Sequence, residues 1–221
     1  MSKVLVIAPH PDDETLGCGG VLYKHKAEKD NVYWLIITNI SQEDGWKEKD
    51  VKKRDNEINA VAEKYGFSDV FNLLFPTTKM DNIPVCDLVQ TISKVYNKVE
   101  PDIIYMPYYN DVHTDHQLIA KALQSTFKWF RHPSIKKVLM YETLSETEFN
   151  FLSNKAFRPN VFVDISEYLN NKIETMKIYK SELGIHPFPR SEKSIRALAT
   201  LRGSQSGYEF AEAFELVMAR H

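Results

Sequence analysis

Val6-Ile7-Ala8-Pro9-His10-Pro11-Asp12-Asp13-Glu14-Thr15-Leu16-Gly17-Cys18-Gly19-Gly20 begins as an apolar strand, stops, and within five residues delivers one imidazole and three carboxylates. Four ionisable groups crowded at the mouth of a buried strand repel or desolvate one another unless positive charge sits between them. A divalent cation is the simplest source of that charge. Such a cation needs a further ligand from elsewhere in the chain.

The 221 residues are 43% hydrophobic and 26% charged, which is ordinary globular composition and enough for one large domain, 1–221, with a real core. Twenty-eight basic against 30 acidic side chains leave no positive excess to attract nucleic acid or an anionic membrane, so a small-molecule partner is expected. Cys18 and Cys86 give no disulfide framework, and Met1-Ser2-Lys3 runs into a strand without a signal-peptide apolar region. The expectation is a cytoplasmic protein. Apolar runs such as Val32 to Ile37 are far shorter than the roughly 20 residues that span a bilayer.

Outward from the opening stretch, Lys3–Ala8, Val32–Thr38, Val70–Phe75, Asp102–Met106 and Lys136–Tyr141 read as strands. Between them Glu14–Lys26, Val51–Tyr65 with a stop at Gly66, Pro84–Val99 and a segment from Asp111 to about Arg131 have helical spacing. Strand and helix in alternation predict an α/β, Rossmann-like fold, a mostly parallel sheet flanked by helices. The C-terminal third is less regular: Val161–Ile165 and Phe214–Met218 suggest strands, Ile173–Leu183 and Ser191–Leu201 helices. In such sheets ligands bind beyond the carboxyl ends of the strands, where this sequence carries two His/Asp clusters, His10 to Glu14 and Asp111 to His116.

His10, Asp13 and one imidazole from the second cluster make a three-ligand metal site with an open position for water, and His116 is the chosen third ligand. The spacing His113-x-x-His116 also permits both imidazoles to bind. Asp12, beside a ligand, is placed to take a proton from the water as general base; the plainer alternative is that it caps the following helix. Gly17, Gly19 and Gly20 invite a phosphate-binding loop, but the glycines follow the acidic run and the carboxylates would repel a phosphate. Close helix packing explains them better. Cys18 reads as inert packing, and no Gly-x-Ser-x-Gly elbow points to a covalent hydrolase.

Together, Ala8-Pro9-His10-Pro11-Asp12-Asp13-Glu14, Gly17-Cys18-Gly19-Gly20, Arg54-x-x-Glu57, Asn110-Asp111-x-His113-x-Asp115-His116 and Arg202-Gly203…Gly207…Ala211-Glu212-Ala213-Phe214 resemble the PIG-L/LmbE-like zinc-dependent deacetylases. The resemblance implies removal of an N-acetyl group from an N-acetylglucosamine-like amino sugar. It also implies one Zn2+ held by His10, Asp13 and His116, with Fe2+ an alternative for that ligand set. By the same resemblance Asp12 is the general base, imidazolium His113 meets the oxyanion, and Asp115 keeps His113 charged and oriented. Arg54 and Asp81 would bind sugar hydroxyls; where relatives often carry His followed by Ser-Gln, this chain departs with Tyr179-Lys180-Ser181-Glu182-Leu183, a segment that with His186 is expected to shape the acceptor side of the pocket.

Two other readings stand beside this one. The same centre would serve another amide, such as a thiol conjugate or an acylated antibiotic, and the glycine loop alone would suit a non-enzymatic nucleotide- or sugar-binding module. A homo-oligomer is compatible with all three.

Overall fold

A computed structural model describes residues 1–152 and 156–221. Strand β1 (Lys3–Ala8) is the centre: Val4 through Ala8 are wholly buried, because parallel strands lie on either side and helices cover both faces. Its alternating side chains divide the core. Val4 and Val6 pack with Leu16, Val21 and Ile173 on one face, Leu5 and Ile7 with Ile92, Ile119 and Leu123 on the other.

The chain continues through α1 (Asp13–Ala27), β2 (Asn31–Asn39), α2 (Glu48–Tyr65), β3 (Asp69–Pro76), α3 (Val85–Val99), β4 (Ile103–Pro107), α4 (Thr114–Gln124) and β5 (Lys137–Tyr141). It finishes with β6 (Val161–Asp164), α5 (Leu169–Met176), α6 (Glu192–Ser206) and β7 (Ala211–Ala219). The seven-stranded sheet has the order β3-β2-β1-β4-β5-β7-β6. Strands β1 to β5 pair in parallel; β7 runs antiparallel to β5 and β6, so the sheet is mostly parallel as expected. From β1 the chain first builds outward to β2 and β3, then returns to place β4 on the other side. The resulting crevice lies beyond the carboxyl ends of β1 and β4.

Local chemistry explains most element ends. Gly66, at φ 64, closes α2 in the left-handed conformation that favours glycine. Helix α4 is shorter than predicted, starting at Thr114 and ending at Gln124. The Thr126 hydroxyl donates to the Leu123 carbonyl at 2.6 Å, and Ser125 does the same to Ala122, diverting acceptors the next helical turn needs. Helix α5 spans Leu169–Met176 instead of the predicted Ile173–Leu183, because beyond it Tyr179 turns fully inward and the chain follows in tight turns. Helix α6 starts at its Ser191 cap, which accepts the Ser194 amide, and ends at left-handed Gly207.

The glycines of α1 are packing residues. A Cβ on Gly17 would lie 2.2 Å from Tyr141, and one on Gly20 2.7 Å from Ile165. A buried ion pair clamps the same helix: Lys172 Nζ donates to Glu212 at 2.6 Å and to the Leu16 carbonyl at 2.8 Å. The other side of that clamp is the Glu212 carboxylate, which accepts the Gly20 and Val21 amides. Among the described residues no helix is long and apolar enough to cross a membrane. Overpacking of this kind costs about 1–3 kcal/mol. Gly17→Ala is therefore expected to lower unfolding stability by that amount in urea titration, and unchanged stability would refute the close-packing assignment.

Candidate active site

The loops after β1 and β4 meet at the crevice. Both cores fix the strand ends, and the Pro9 carbonyl accepts the amide and the hydroxyl of Thr38, each at 2.9 Å, tying the first loop to β2. The predicted ligands come together: His10 Nδ1 lies 3.3 Å from Asp13 Oδ2, His116 Nε2 lies 3.2 Å from that oxygen, and the two nitrogens are 3.3 Å apart. Tetrahedral bonds of about 2.0–2.1 Å give ligand separations of about 3.3–3.4 Å. The triangle therefore fits a zinc-sized cation.

Each imidazole is held from behind by a carboxylate. His116 Nδ1 donates to Asp111 Oδ2 at 2.9 Å, and His10 Nε2 donates to Asp115 Oδ2 at 3.0 Å. These bonds leave the other nitrogen's lone pair facing the triangle, an arrangement that orients metal-binding histidines. Burial opposes charge on His10, yet its bonds to Asp115 and Asp13 raise it to about 9. Burial likewise opposes charge on His116, and the Asp13 and Asp111 carboxylates outweigh it. Asp13 is driven in the opposite direction. Burial favours its neutral form, but the two imidazoles hold it well below the ordinary carboxylate range. The carboxylate and the two imidazoles thus pull on one another's charge across the triangle.

Two further groupings lack this support. In His10–His113–Asp115 the His10 Nε2 is already bonded to Asp115, and in His25–Glu28–Asp30, at the far end of α1, both His25 nitrogens are bonded, to Asp30 and Tyr105.

His113 caps α4, and its Nδ1 accepts the Asp115 amide at 3.1 Å. That geometry corrects the expected partnership: the Asp115 carboxylate turns to His10 and to the Thr78 amide, not to His113. Burial, and then the charges of His10 and His116, push His113 down to about 4, the same direction as its Nδ1 accepting the Asp115 amide and opposite to the imidazolium the resemblance implies. A neutral ring accepting at Nδ1 carries its proton on Nε2.

Asp12 occupies the N-cap position of α1, its carbonyl accepting the Thr15 and Leu16 amides, but its side chain makes no capping bond; its backbone sits at φ 135, ψ −27, a strained conformation for a residue with a side chain. Buried Glu14 restrains it, accepting the Asp12 amide at 3.0 Å, the Thr15 hydroxyl at 2.6 Å and the Tyr179 hydroxyl at 2.9 Å. Burial raises Glu14 to about 7. Asp12 itself is pushed well above the usual range, first by burial and then by the charges of Asp13 and Glu182. Cys18 is buried in α1, and burial raises its thiol as well, in keeping with inert packing.

A cavity of about 210 Å³ opens over these groups, lined among others by Trp46, Thr78, Glu146, Glu182 and Arg190. Arg54 lines it too, but its guanidinium is engaged with the Pro11 carbonyl at 2.9 Å and Glu182 at 2.5 Å. Asp81 does not line it. The turn Met80–Asn82 buries Met80 and leaves Asp81 exposed, bonded to Asn82, while Thr77 and Thr78 carry that loop's contribution. His186 is also exposed and away from the cavity; from its segment Glu182 and Arg190 reach in. Asp111, Trp46 and Arg190 were not singled out by sequence as site residues. For Asp111 the signal was its place in the second cluster; for Trp46 and Arg190 there was none.

A family model described as PIG-L: GlcNAc-PI de-N-acetylase matches residues 5–127. The chain is 25% identical over 227 residues to the diacetylchitobiose deacetylase of Thermococcus kodakarensis, covering 98% of this chain and 84% of that protein. In structure it is similar to the conserved protein TT1542 of Thermus thermophilus, with TM-score 0.79, 24% identity and coverage of 100% of this chain and 97% of the other. It is also similar to the 4-carboxy-2-hydroxymuconate hydratase of Pseudomonas putida KT2440, with TM-score 0.76, 19% identity and coverage of 100% and 98%. The structural likenesses show the fold, and the last one shows that the fold carries more than one chemistry.

The restraint on Asp12 is testable through Glu14. Glu14→Gln replaces an acceptor oxygen with a donor in a fully bonded buried position, at a cost of about 1–3 kcal/mol. Urea denaturation should report that loss, and an unchanged midpoint would show that Glu14 does not restrain the loop.

Proposed function

The chain belongs to the PIG-L family, and from that membership we propose that it is a metal-dependent hydrolase removing an N-acetyl group from an N-acetylglucosamine-like sugar. The observation that carries the proposal is the His10–Asp13–His116 triangle, each imidazole backed by a carboxylate, at the floor of the cavity. His10, Asp13 and His116 would hold one Zn2+, and the same donors accept Fe2+. When bound, the cation polarises the acyl carbonyl and makes water a far stronger acid, with a pKa of about 7 against 15.7 in bulk.

The chain's own groups do the rest. Asp12 takes the proton of the attacking water on its carboxylate and later passes it to the departing amine; the absence of any capping bond leaves that carboxylate available. His113 donates its Nε2 proton to the developing oxyanion as a neutral imidazole, which avoids placing another positive charge beside the cation. Arg54 keeps the Pro11 carbonyl and Glu182 in place and so positions the loop that carries Asp12. Trp46, 44% exposed on the rim, offers an aromatic face to the apolar side of a pyranose ring.

Acetate release from a panel of N-acetyl sugars and other acyl amides, with metal analysis, tests the proposal. Zinc-loaded protein should release acetate from the N-acetyl sugars and lose activity to a chelator. Protein that stays inert after reloading on every sugar would contradict the function, and preferential cleavage of a non-sugar amide would move it to another acyl substrate. Asp12→Asn should retain metal and lose about 10²–10⁴-fold in turnover; full activity would overturn the base assignment. Trp46→Ala should raise KM several-fold with little change in kcat, and an unchanged KM would remove Trp46 from the sugar site.

A further inference from the structure

Behind His116, on the side away from the substrate cavity, lies a directed relay of hydrogen bonds. The Thr143 amide donates to Thr147 Oγ1 at 2.8 Å, and Thr147 Oγ1 lies 2.6 Å from Asp111 Oδ1. A carboxylate has no proton to give, so the single hydroxyl proton must point at Asp111. Asp111, wholly buried, turns its other oxygen to His116 Nδ1 at 2.9 Å. Its backbone is pinned as well, since the Asp111 carbonyl accepts Gln117 Nε2 at 2.7 Å. Thr147 comes from the loop after β5, far in sequence from both motif clusters.

We infer that Thr147 is a positioning residue for the metal site, fixing through Asp111 the orientation and tautomer of His116 and thereby setting metal affinity. The inference rests on the metal reading given above. Removing the hydroxyl leaves Asp111 Oδ1 buried without its partner, which frees the carboxylate to turn and loosens the ring it holds. Losing the partner bonded directly to a metal ligand weakens binding about 10- to 100-fold, and Thr147, one bond further out, acts at the low end of that range. Beyond Thr147 lies a second cavity of about 250 Å³, lined by Leu144, Phe157 and Leu198 and by the polar Glu142, Glu148 and Arg202. It is roomy enough for a water to replace a lost hydroxyl once the side chain is shortened.

That cavity makes the order of variants diagnostic. Thr147→Val keeps the volume and excludes water, Thr147→Ala admits water, and Thr147→Ser keeps the hydroxyl. Zinc affinity of the whole purified chain, measured against a chromophoric chelator, should fall about 10-fold in Thr147→Val and less in Thr147→Ala, and stay within about threefold of the parent in Thr147→Ser. In an Asp111→Asn background Thr147→Val should add little, because both act on one relay. Cobalt-substituted protein should show a changed visible spectrum in Thr147→Val and not in Thr147→Ser.

A packing role predicts the reverse order, with Ala worst and Val close to the parent, and that result would overturn the inference. So would parent-like zinc affinity in Thr147→Val, or an equal loss in Thr147→Ser. If Thr147→Val fails to fold, the Ala and Ser affinities decide by the same ranking. A parent protein that binds no zinc would overturn the metal reading itself, an outcome distinct from parent binding that Thr147 does not affect.

Discussion

One buried carboxylate governs this architecture. Asp13 is 3% exposed and stands between two imidazoles, within 3.3 Å of each. An isolated carboxylate in such a place would be costly, and positive charge from the histidines, or from a cation they bind, offsets that cost. To bring His116 to Asp13 the chain must set β4 beside β1, and the strand order does this at the point where it reverses. The two-faced burial of β1 holds the ends of that crevice firm.

Around Asp13 the polar groups are arranged in outward layers. Asp111 and Asp115 hold the imidazoles, and Glu14 holds the strained turn that presents Asp12. Tyr179, from the irregular C-terminal third, completes the bonding of Glu14, while Lys172 and Glu212 clamp α1 in its middle. The C-terminal segment therefore contributes to the site without supplying a metal ligand. Its contacts lock the helix and the loop that carry Asp12 and Asp13.

Much of this was legible in the sequence because the signals were local. The strands buried on both faces read as continuous apolar runs, Gly66 marked a helix end by its conformation, and His10, Asp13 and His116 stood out by type and spacing. Long-range pairing was not legible. Which acid backs which imidazole depends on His113 acting as a helix cap, a geometry that turns the Asp115 carboxylate toward His10 and leaves Asp111 for His116. Asp81 was misplaced because the burial of Met80 decides which way its turn faces. The end of α5 was missed because Tyr179 leaves helical spacing to reach Glu14, 165 positions away in sequence.

Zinc X-ray absorption on the loaded protein tests the assignment at the centre of this architecture most directly. With His10, Asp13 and His116 as ligands, the spectrum should show two imidazoles and oxygen donors at about 2.0–2.1 Å and no sulfur. A sulfur scatterer at about 2.3 Å, or a spectrum unchanged in His116→Ala, would contradict it.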